Sequence, residues 1–273
     1  MTFDLYAGVE PSQLGRAREL SHAACQWPSK AARANLPAPA DDSHSNLGWL
    51  AAQGALVSHP LDGLRRRQLA FRFSDQALLW LDGGEVGAEL GLRSESEVSV
   101  EAWVDRQLAD AGLTPTGAAE MPYALDDAVD YAEFAALSAE VSALGHWFQQ
   151  ADRALQSLIT EAGHLSVKPA VARCWPHHFD LAVLFALETG DPESARSVGV
   201  GLSPGDGSYA EPYLYCSPWP PPAVETLDAA AAPFRWHVEG FVSLVAPASA
   251  LDRGQDLTAV VREGFRTARR QVA

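Results

Sequence analysis

The chain has 273 residues, of which 47% are hydrophobic and 20% are charged, so it is long enough to bury a sizeable core in one or two domains. The 35 acidic residues outnumber the 20 basic ones and give a formal net charge of −15, which disfavours nucleic acids and anionic membranes as partners. The longest apolar run, residues 181–187, is too short to span a membrane, and three cysteines and an N-terminus without signal-peptide features predict a cytoplasmic protein.

The N-terminal half shows a helix, several extended runs and a second helix. Apolar residues at helical spacing predict a helix over residues 12–27, which Pro28 is expected to end or to kink. Leu69, Phe71 and Phe73 alternate with polar or small residues, a pattern typical of a half-buried strand. The extended runs cover residues 47–57, 68–74, 77–81 and 86–92. The second helix is predicted over residues 100–108.

A longer helix begins the C-terminal half. Its apolar stripe runs from Phe134 to Leu158 with residues three or four apart, and four acidic residues between 126 and 133 crowd its start, where the helix dipole favours negative charge. Two interpretations are open, a coiled-coil dimerisation helix or a core helix lying across a sheet, and the second is favoured. The oligomeric state therefore stays open.

From residue 169 onward the pattern predicts strands at 172–187, 197–203, 212–217 and 235–245, and a final helix covers residues 257–271. The connections between these strands are too short for crossover helices, so the strands are expected to be antiparallel. We therefore predict an α+β fold in which long helices pack on one face of an antiparallel sheet. Both halves follow the order helix, strands, helix, which predicts two similar halves, 1–125 and 126–273, packed as one compact unit.

Alternation along the C-terminal strands assigns their residues to two faces. The apolar face is predicted to be buried and carries Phe179, Leu181, Val183, Val198, Val200, Leu202, Leu214 and Val238. The polar face carries His178, Asp180, Tyr213, Tyr215, His237 and Glu239. Gly199 and Gly201 also point to the polar face, where the missing side chains are expected to leave a depression floored by backbone.

This polar face is the predicted site for a small polar molecule or a divalent metal. The residues expected to act there, as ligands of zinc, manganese or iron or as general acids and bases, are His178, Asp180, His237 and Glu239. The residues expected to bind the ligand are Tyr213, Tyr215, Ser203 and Gly201. The polar loop 41–46 has two interpretations: a solvated loop with Asx-type turns, which is favoured, or a loop that closes over the pocket and supplies His44 or Asn46.

The alternative function is a non-catalytic scaffold or interaction protein, because antiparallel sheets commonly leave one face in water. The abundance of His, Gly and Tyr on the polar face favours binding or catalysis over simple solvation. His177 is interpreted as a structural histidine, although a register shift of one residue exchanges its role with that of His178. Whether the chain is an enzyme, and on which substrate, stays open.

Several short motifs are shared with a group of uncharacterised bacterial proteins. The chain resembles them in W-P-H-H-F-D at 175–180, S-P-G-D at 203–206, E-P-Y-x-Y at 211–215 followed by P-W-P, and D-D-S-H-S-N-L-G-W at 41–49. The resemblance covers about a quarter of the chain, and its motifs are specific in combination. The resemblance implies a cytoplasmic bacterial protein of unknown function and assigns no role to any residue.

Overall fold

A computed structural model of the chain describes residues 8–123, 129–252 and 254–272. In these ranges the chain forms four α-helices and two antiparallel sheets, which confirms the predicted α+β fold. The helices are α1 (Gly15–Asn35), α2 (Glu97–Asp110), α3 (Ser138–Ala162) and α4 (Leu257–Arg270). No helix in the described ranges is long and apolar enough to cross a membrane.

The strands divide into two groups along the chain. The first group is β1 (Gly48–Leu50), β2 (Ala55–Val57), β3 (Gln68–Arg72), β4 (Ala77–Asp82) and β5 (Glu85–Gly91). The second group is β6 (Arg173–Trp175), β7 (Asp180–Ala186), β8 (Ser197–Ser203), β9 (Tyr213–Trp219), β10 (Arg235–His237) and β11 (Ser243–Pro247).

The chain divides into two compact units. The N-terminal unit comprises residues 13–146 together with Cys174–Phe179, and the C-terminal unit comprises residues up to 12, Trp147–Arg173 and the chain from Asp180 onward. The boundary therefore falls within α3 rather than between residues 125 and 126. A short segment near residue 175 also returns to the N-terminal unit, an exchange that reading the sequence in order does not reveal.

The N-terminal unit is built on the five-stranded sheet β1-β2-β3-β4-β5, in which each strand pairs with the next along the chain. Phe71 and Leu69 are buried as predicted, but Ala70 between them is buried as well, so β3 is covered on both faces. Helix α1 continues through Pro28 and ends at Asn35, before Pro37. A proline inside a helix removes one backbone hydrogen bond. In α1 the burial of residues on both sides of Pro28 compensates for this loss, so the helix continues.

The C-terminal unit contains the sheet in the order β10-β11-β9-β8-β7-β6. The predicted alternation is confirmed on its three central strands, whose apolar residues are fully or almost fully buried: Leu181, Val183, Val198, Val200, Leu202 and Leu214. Helix α4 packs on this apolar face, where the ring centroids of Phe265 and Phe185 are 4.6 Å apart. The helix thus covers the apolar face, and the sheet itself lies between this core and the polar face.

Two predicted strands are interrupted. The run at 235–245 folds into a hairpin of β10 and β11, so Val238 lies in its turn and is 43% exposed; its predicted burial was wrong. The run at 172–187 breaks before Asp180, where Phe179 adopts a left-handed conformation with φ of 57°. Phe179 is buried, but it precedes β7 and belongs to the N-terminal unit.

The long helix α3 begins at Ser138 because residues 131–135 form a 3-10 helix, which Asp130 caps by accepting from the amide of Ala132. The acidic residues at 126 and 127, predicted to favour the helix start, lie outside the described ranges. The apolar stripe of α3, including Val141, Leu144 and Leu155, is fully buried within the chain. That burial favours the core-helix interpretation over a coiled coil.

Candidate functional site

The polar face of the C-terminal sheet brings together five of the predicted site residues. Cross-strand partners share a face, and the pairs Gly201–Tyr215 and Ser203–Tyr213 place these four residues side by side on β8 and β9. Asp180 at the start of β7 joins them, because the Tyr215 hydroxyl donates a hydrogen bond to its carboxylate.

The predicted depression above Gly201 is filled by the chain itself. A Cβ atom at position 201 would overlap the end of the Tyr215 ring, so the glycine makes room for that ring rather than for a ligand. Burial raises the pKa of Tyr215 far above its usual range, and the negative charge of Asp180 raises it further. Tyr215 therefore keeps its proton and serves as the donor to Asp180.

Tyr213 and Ser203 support the loop that follows β8. The Tyr213 hydroxyl donates to Asp206 Oδ2 at 2.5 Å, while the other oxygen of Asp206 accepts from the amides of Ser208 and Tyr209. The Ser203 hydroxyl is buried and accepts from the amide of Gly205 at 3.1 Å. The polar side chains of this region therefore stabilise the conformation of the loop, and no ligand is needed to account for them.

His237 lies on the same face but far from Asp180. His237 ends β10 and Asp180 begins β7, and these two strands are four positions apart in the sheet. At about 4.8 Å between neighbouring strands, the separation is about 19 Å. Both nitrogens of His237 are engaged, Nδ1 with the Tyr209 hydroxyl at 2.8 Å and Nε2 with the backbone carbonyl of Glu239 at 2.7 Å. The Glu239 carboxylate is therefore not the partner of His237, which corrects the predicted pair.

His178 lies in the turn before β7 and belongs to the N-terminal unit, whereas Asp180 belongs to the C-terminal unit. The prediction assumed one continuous strand through both residues, and the left-handed Phe179 breaks that strand. Among the described residues, no group of three or more His, Cys, Asp or Glu side chains is arranged to hold a metal ion. The predicted metal quartet is therefore not formed.

In the N-terminal unit, two of the motifs singled out by resemblance lie side by side. Leu47 and Cys174 form an antiparallel bridge in which each amide donates to the other residue's carbonyl at 2.8 Å. Beyond the bridge, the carbonyl of Pro176 accepts hydrogen bonds from His22 Nε2 at 2.5 Å and from Gln26 Nε2 at 3.0 Å. Burial lowers the pKa of His22, so its ring is neutral and Nε2 carries the donated proton.

The polar loop 41–46 is held by Arg33 on α1. The Arg33 guanidinium binds both carboxylate oxygens of Asp42 and also donates to the hydroxyl of Ser45. Asp42 adopts a left-handed conformation with φ of 60°. The hydrogen bonds from Arg33 are the main reason that the pKa of Asp42 lies below its usual value.

His44 follows in this loop and lies against the Asp42 carboxylate. Its side chain is only 5% exposed, and its Nδ1 is 3.8 Å from Asp42 Oδ1. That nitrogen is fully buried and has no hydrogen-bond partner among the residues that the structure describes. The arrangement Arg33–Asp42–His44 thus holds an imidazole beside a clamped carboxylate.

His44 also lines an open groove of about 850 Å³, formed by residues 35–39, 43–44 and 59–63. Three other polar side chains along it are already engaged. Asn35 bonds to the backbone of Thr114, Asp62 accepts from Arg67, and His59 bonds to Ser43 and Asn46. Nδ1 of His44, in contrast, has no hydrogen-bond partner within the described chain.

Two loop residues were predicted to bind a ligand. The structure places His44 at a groove, whereas the side chain of Asn46 is hydrogen-bonded to His59. Sequence reasoning missed Arg33, Asp42 and the groove itself. The spacing D-x-H at 42–44 was a visible signal, but the role of Arg33 depends on a contact across nine residues that no local pattern specifies.

The sequence matches no protein-family model and no curated protein, and no solved structure matches the chain. The resemblance to uncharacterised bacterial proteins stays an expectation.

Proposed function

We propose that the protein binds a small polar molecule in the groove beside His44, and that His44 exchanges a proton with that molecule. The observation that carries this proposal is the buried Nδ1 of His44, 3.8 Å from a carboxylate that Arg33 clamps. A carboxylate in this position favours the tautomer with its proton on Nδ1, which leaves the lone pair of Nε2 for a ligand.

The separation of 3.8 Å is longer than a hydrogen bond, as is common for catalytic contacts before a ligand binds. A ligand that donates a proton to Nε2 would make the ring cationic and strengthen its attraction to Asp42. Arg33 contributes by keeping Asp42 ionised and in place, so it is a positioning residue. The groove walls are largely apolar, including Leu36, Pro37 and Pro60, which suits a ligand with an apolar part and one polar head.

The reactivity of the imidazole tests whether His44 presents Nε2 to the groove. Diethyl pyrocarbonate acylates accessible neutral imidazoles, and mass spectrometry locates each modified residue. We expect His44 to be modified in the native protein despite its low exposure, with exposed His164 as the internal reference. An unreactive His44 beside a fully modified His164 would contradict the proposal.

Ligand binding is tested with a panel of small carboxylic acids, amides and alcohols, followed by NMR of labelled histidine side chains. We expect a subset to shift the resonances of His44 in the wild type and to lose binding in His44→Asn. The matched control His164→Asn should bind as the wild type does. Equal binding by His44→Asn and the wild type would exclude His44 from the site.

A second candidate is the non-catalytic interaction protein considered above. It is favoured by Leu64, which follows the groove residue Gly63 and is 98% exposed. An exposed leucine at the rim of a largely apolar groove suits contact with a partner polypeptide. In that case Leu64→Ser would abolish partner binding while His44→Asn would leave it unchanged, which separates the two candidates.

A further inference from the structure

A second cavity lies in the N-terminal unit, between α1, the start of α2, residues 121–123 and residues 129–131. Its volume is about 240 Å³, below the usual range of about 300–1,000 Å³ for drug-sized ligands. Trp27, Tyr123 and Tyr131 supply aromatic surface, and Lys30 and Glu97 supply one charge of each sign. The cavity is therefore small and aromatic, and it carries charges of both signs.

Neither charge at this cavity is neutralised by the described part of the chain. Lys30 and Glu97 form no ion pair there, although both line the same space. The Lys30 ammonium lies over the Trp27 ring, 4.5 Å from its centre, so one face of that ring is already in contact with a positive charge. A simple cation entering the cavity would be repelled by Lys30, and a simple anion would be repelled by Glu97.

The hydroxyl of Tyr131 adds a hydrogen-bond donor. Tyr131 is 2% exposed and accepts a hydrogen bond from Trp27 Nε1 at 2.9 Å, but its own proton has no acceptor among the described residues. The Tyr123 hydroxyl, in contrast, already donates to Gln26 Oε1 at 2.7 Å. A buried hydroxyl without an acceptor is costly unless a ligand or water accepts from it.

We propose that this cavity binds a small zwitterion with an apolar side chain, such as a free amino acid. Lys30 and the Tyr131 hydroxyl bind its carboxylate, Glu97 binds its ammonium group, and the aromatic walls pack against its side chain. A zwitterion is the charge type that satisfies both Lys30 and Glu97 in one space, and the volume limits it to a single small molecule.

The test uses isothermal titration of the full-length protein with L-leucine and L-phenylalanine. Each is compared with its amide, which lacks the carboxylate, and with its N-acetyl derivative, which lacks the ammonium group. We expect saturable binding of at least one free amino acid and binding at least about tenfold weaker for both of its derivatives, because each loses one charge-assisted contact. If neither amino acid binds, or if the derivatives bind as tightly, the proposal is wrong.

Variants identify the cavity as the site. Lys30→Met and Glu97→Gln should each weaken binding by about tenfold or more, whereas Glu101→Gln, on the same helix as Glu97 but not at the cavity, should bind normally. Thermal unfolding of each variant checks that it is folded. Full-affinity binding by both cavity variants would place the amino acid elsewhere and overturn the assignment. His44→Asn should not affect this binding, which keeps the result separate from the groove.

Discussion

Tyr215 and Gly201 depend on each other in the C-terminal sheet. The ring of Tyr215 lies over the bare backbone at position 201, and this placement lets its hydroxyl reach Asp180. Gly199 is two residues away on the same strand and face, but a Cβ atom there would meet only the carbonyl of Ser217 at 4.0 Å. The two glycines therefore serve different purposes, although the sequence presents them as equivalent.

This difference gives a matched pair of substitutions. We expect Gly201→Ala to lower the free energy of unfolding by about 1–3 kcal/mol, because Tyr215 must move and its hydrogen bond to Asp180 is strained or lost. Gly199→Ala should be neutral or slightly stabilising. Urea unfolding measures both, and equal effects of the two substitutions would contradict the packing role of Gly201.

Asp42 gives a prediction about pH. The pKa of Asp42 is lowered in the folded protein, chiefly by its hydrogen bonds from Arg33, so the unfolded chain binds the proton more readily than the folded chain does. The stabilisation is therefore complete above the unfolded pKa of about 4 and is lost as the pH falls through the lower pKa of the folded state.

We expect Asp42→Asn to remove this contribution. The difference in stability between the wild type and the variant should be largest at neutral pH and should shrink progressively below about pH 4. The free energy of unfolding, measured by urea at a series of pH values, gives the comparison. Asp41→Asn is the adjacent control, since Arg33 binds Asp42. A constant difference across the acidic range would show that Asp42 is not stabilised as a charge.

Helix α4 approaches the C-terminal sheet closely through Gly264. A Cβ atom at this position would lie 2.7 Å from Cys216 Sγ and 2.6 Å from Phe234 Cζ, both in the core. Glycine normally weakens a helix by about 1 kcal/mol relative to alanine. Its presence in α4 therefore reflects packing against β9 rather than helix propensity.

We expect Gly264→Ala to destabilise the protein by about 1–3 kcal/mol despite the better helix propensity of alanine, because the added methyl group overpacks the core. Gly15→Ala is the control, since position 15 begins α1 and an added Cβ would meet nothing within 4 Å. The control should be neutral or stabilising by up to about 1 kcal/mol. Thermal unfolding of both variants decides between packing and propensity, and a more stable Gly264→Ala would contradict the close approach.

The elements also show how far the sequence determines the structure. Alternation on β7, β8 and β9 identified the buried face correctly, because a strand buried on one side must repeat every two residues. The same pattern failed at Val238, since a short hairpin turn can contain residues that mimic alternation. It also failed at His178, where the left-handed conformation of Phe179 ends the alternation and has no local signal.

The candidate site was predictable only in part for a related reason. His44 stood out as a polar loop residue, but the groove forms because residues 35–39 and 59–63 come together in the fold of the N-terminal unit. Contacts between segments distant in sequence leave no periodic pattern. The tyrosines of the polar face were located correctly for the opposite reason, since strand register alone determines their positions.

At the scale of the whole molecule, the net charge of −15 is the dominant electrostatic property. Most of the described ion pairs are on the surface, such as Arg16–Glu133 and Arg262–Glu161, and surface pairs contribute only about 0–1 kcal/mol each. Repulsion among the excess carboxylates acts over the entire chain and opposes the compact state. Salt is therefore expected to act on stability mainly by weakening this repulsion, and only secondarily by weakening the ion pairs.

We accordingly expect salt to stabilise the protein at neutral pH. Raising the sodium chloride concentration from about 0.01 M to about 0.15 M shortens the screening length from about 30 Å to about 8 Å, which weakens repulsion between distant carboxylates more than contacts at hydrogen-bond distance. Calorimetry should show a higher Tm at the higher concentration. The control is the same comparison near pH 4.8, the isoelectric point, where the net charge vanishes and the salt effect should disappear or reverse. A Tm that falls with added salt at neutral pH would show that local ion pairs, rather than net repulsion, dominate the stability of the fold.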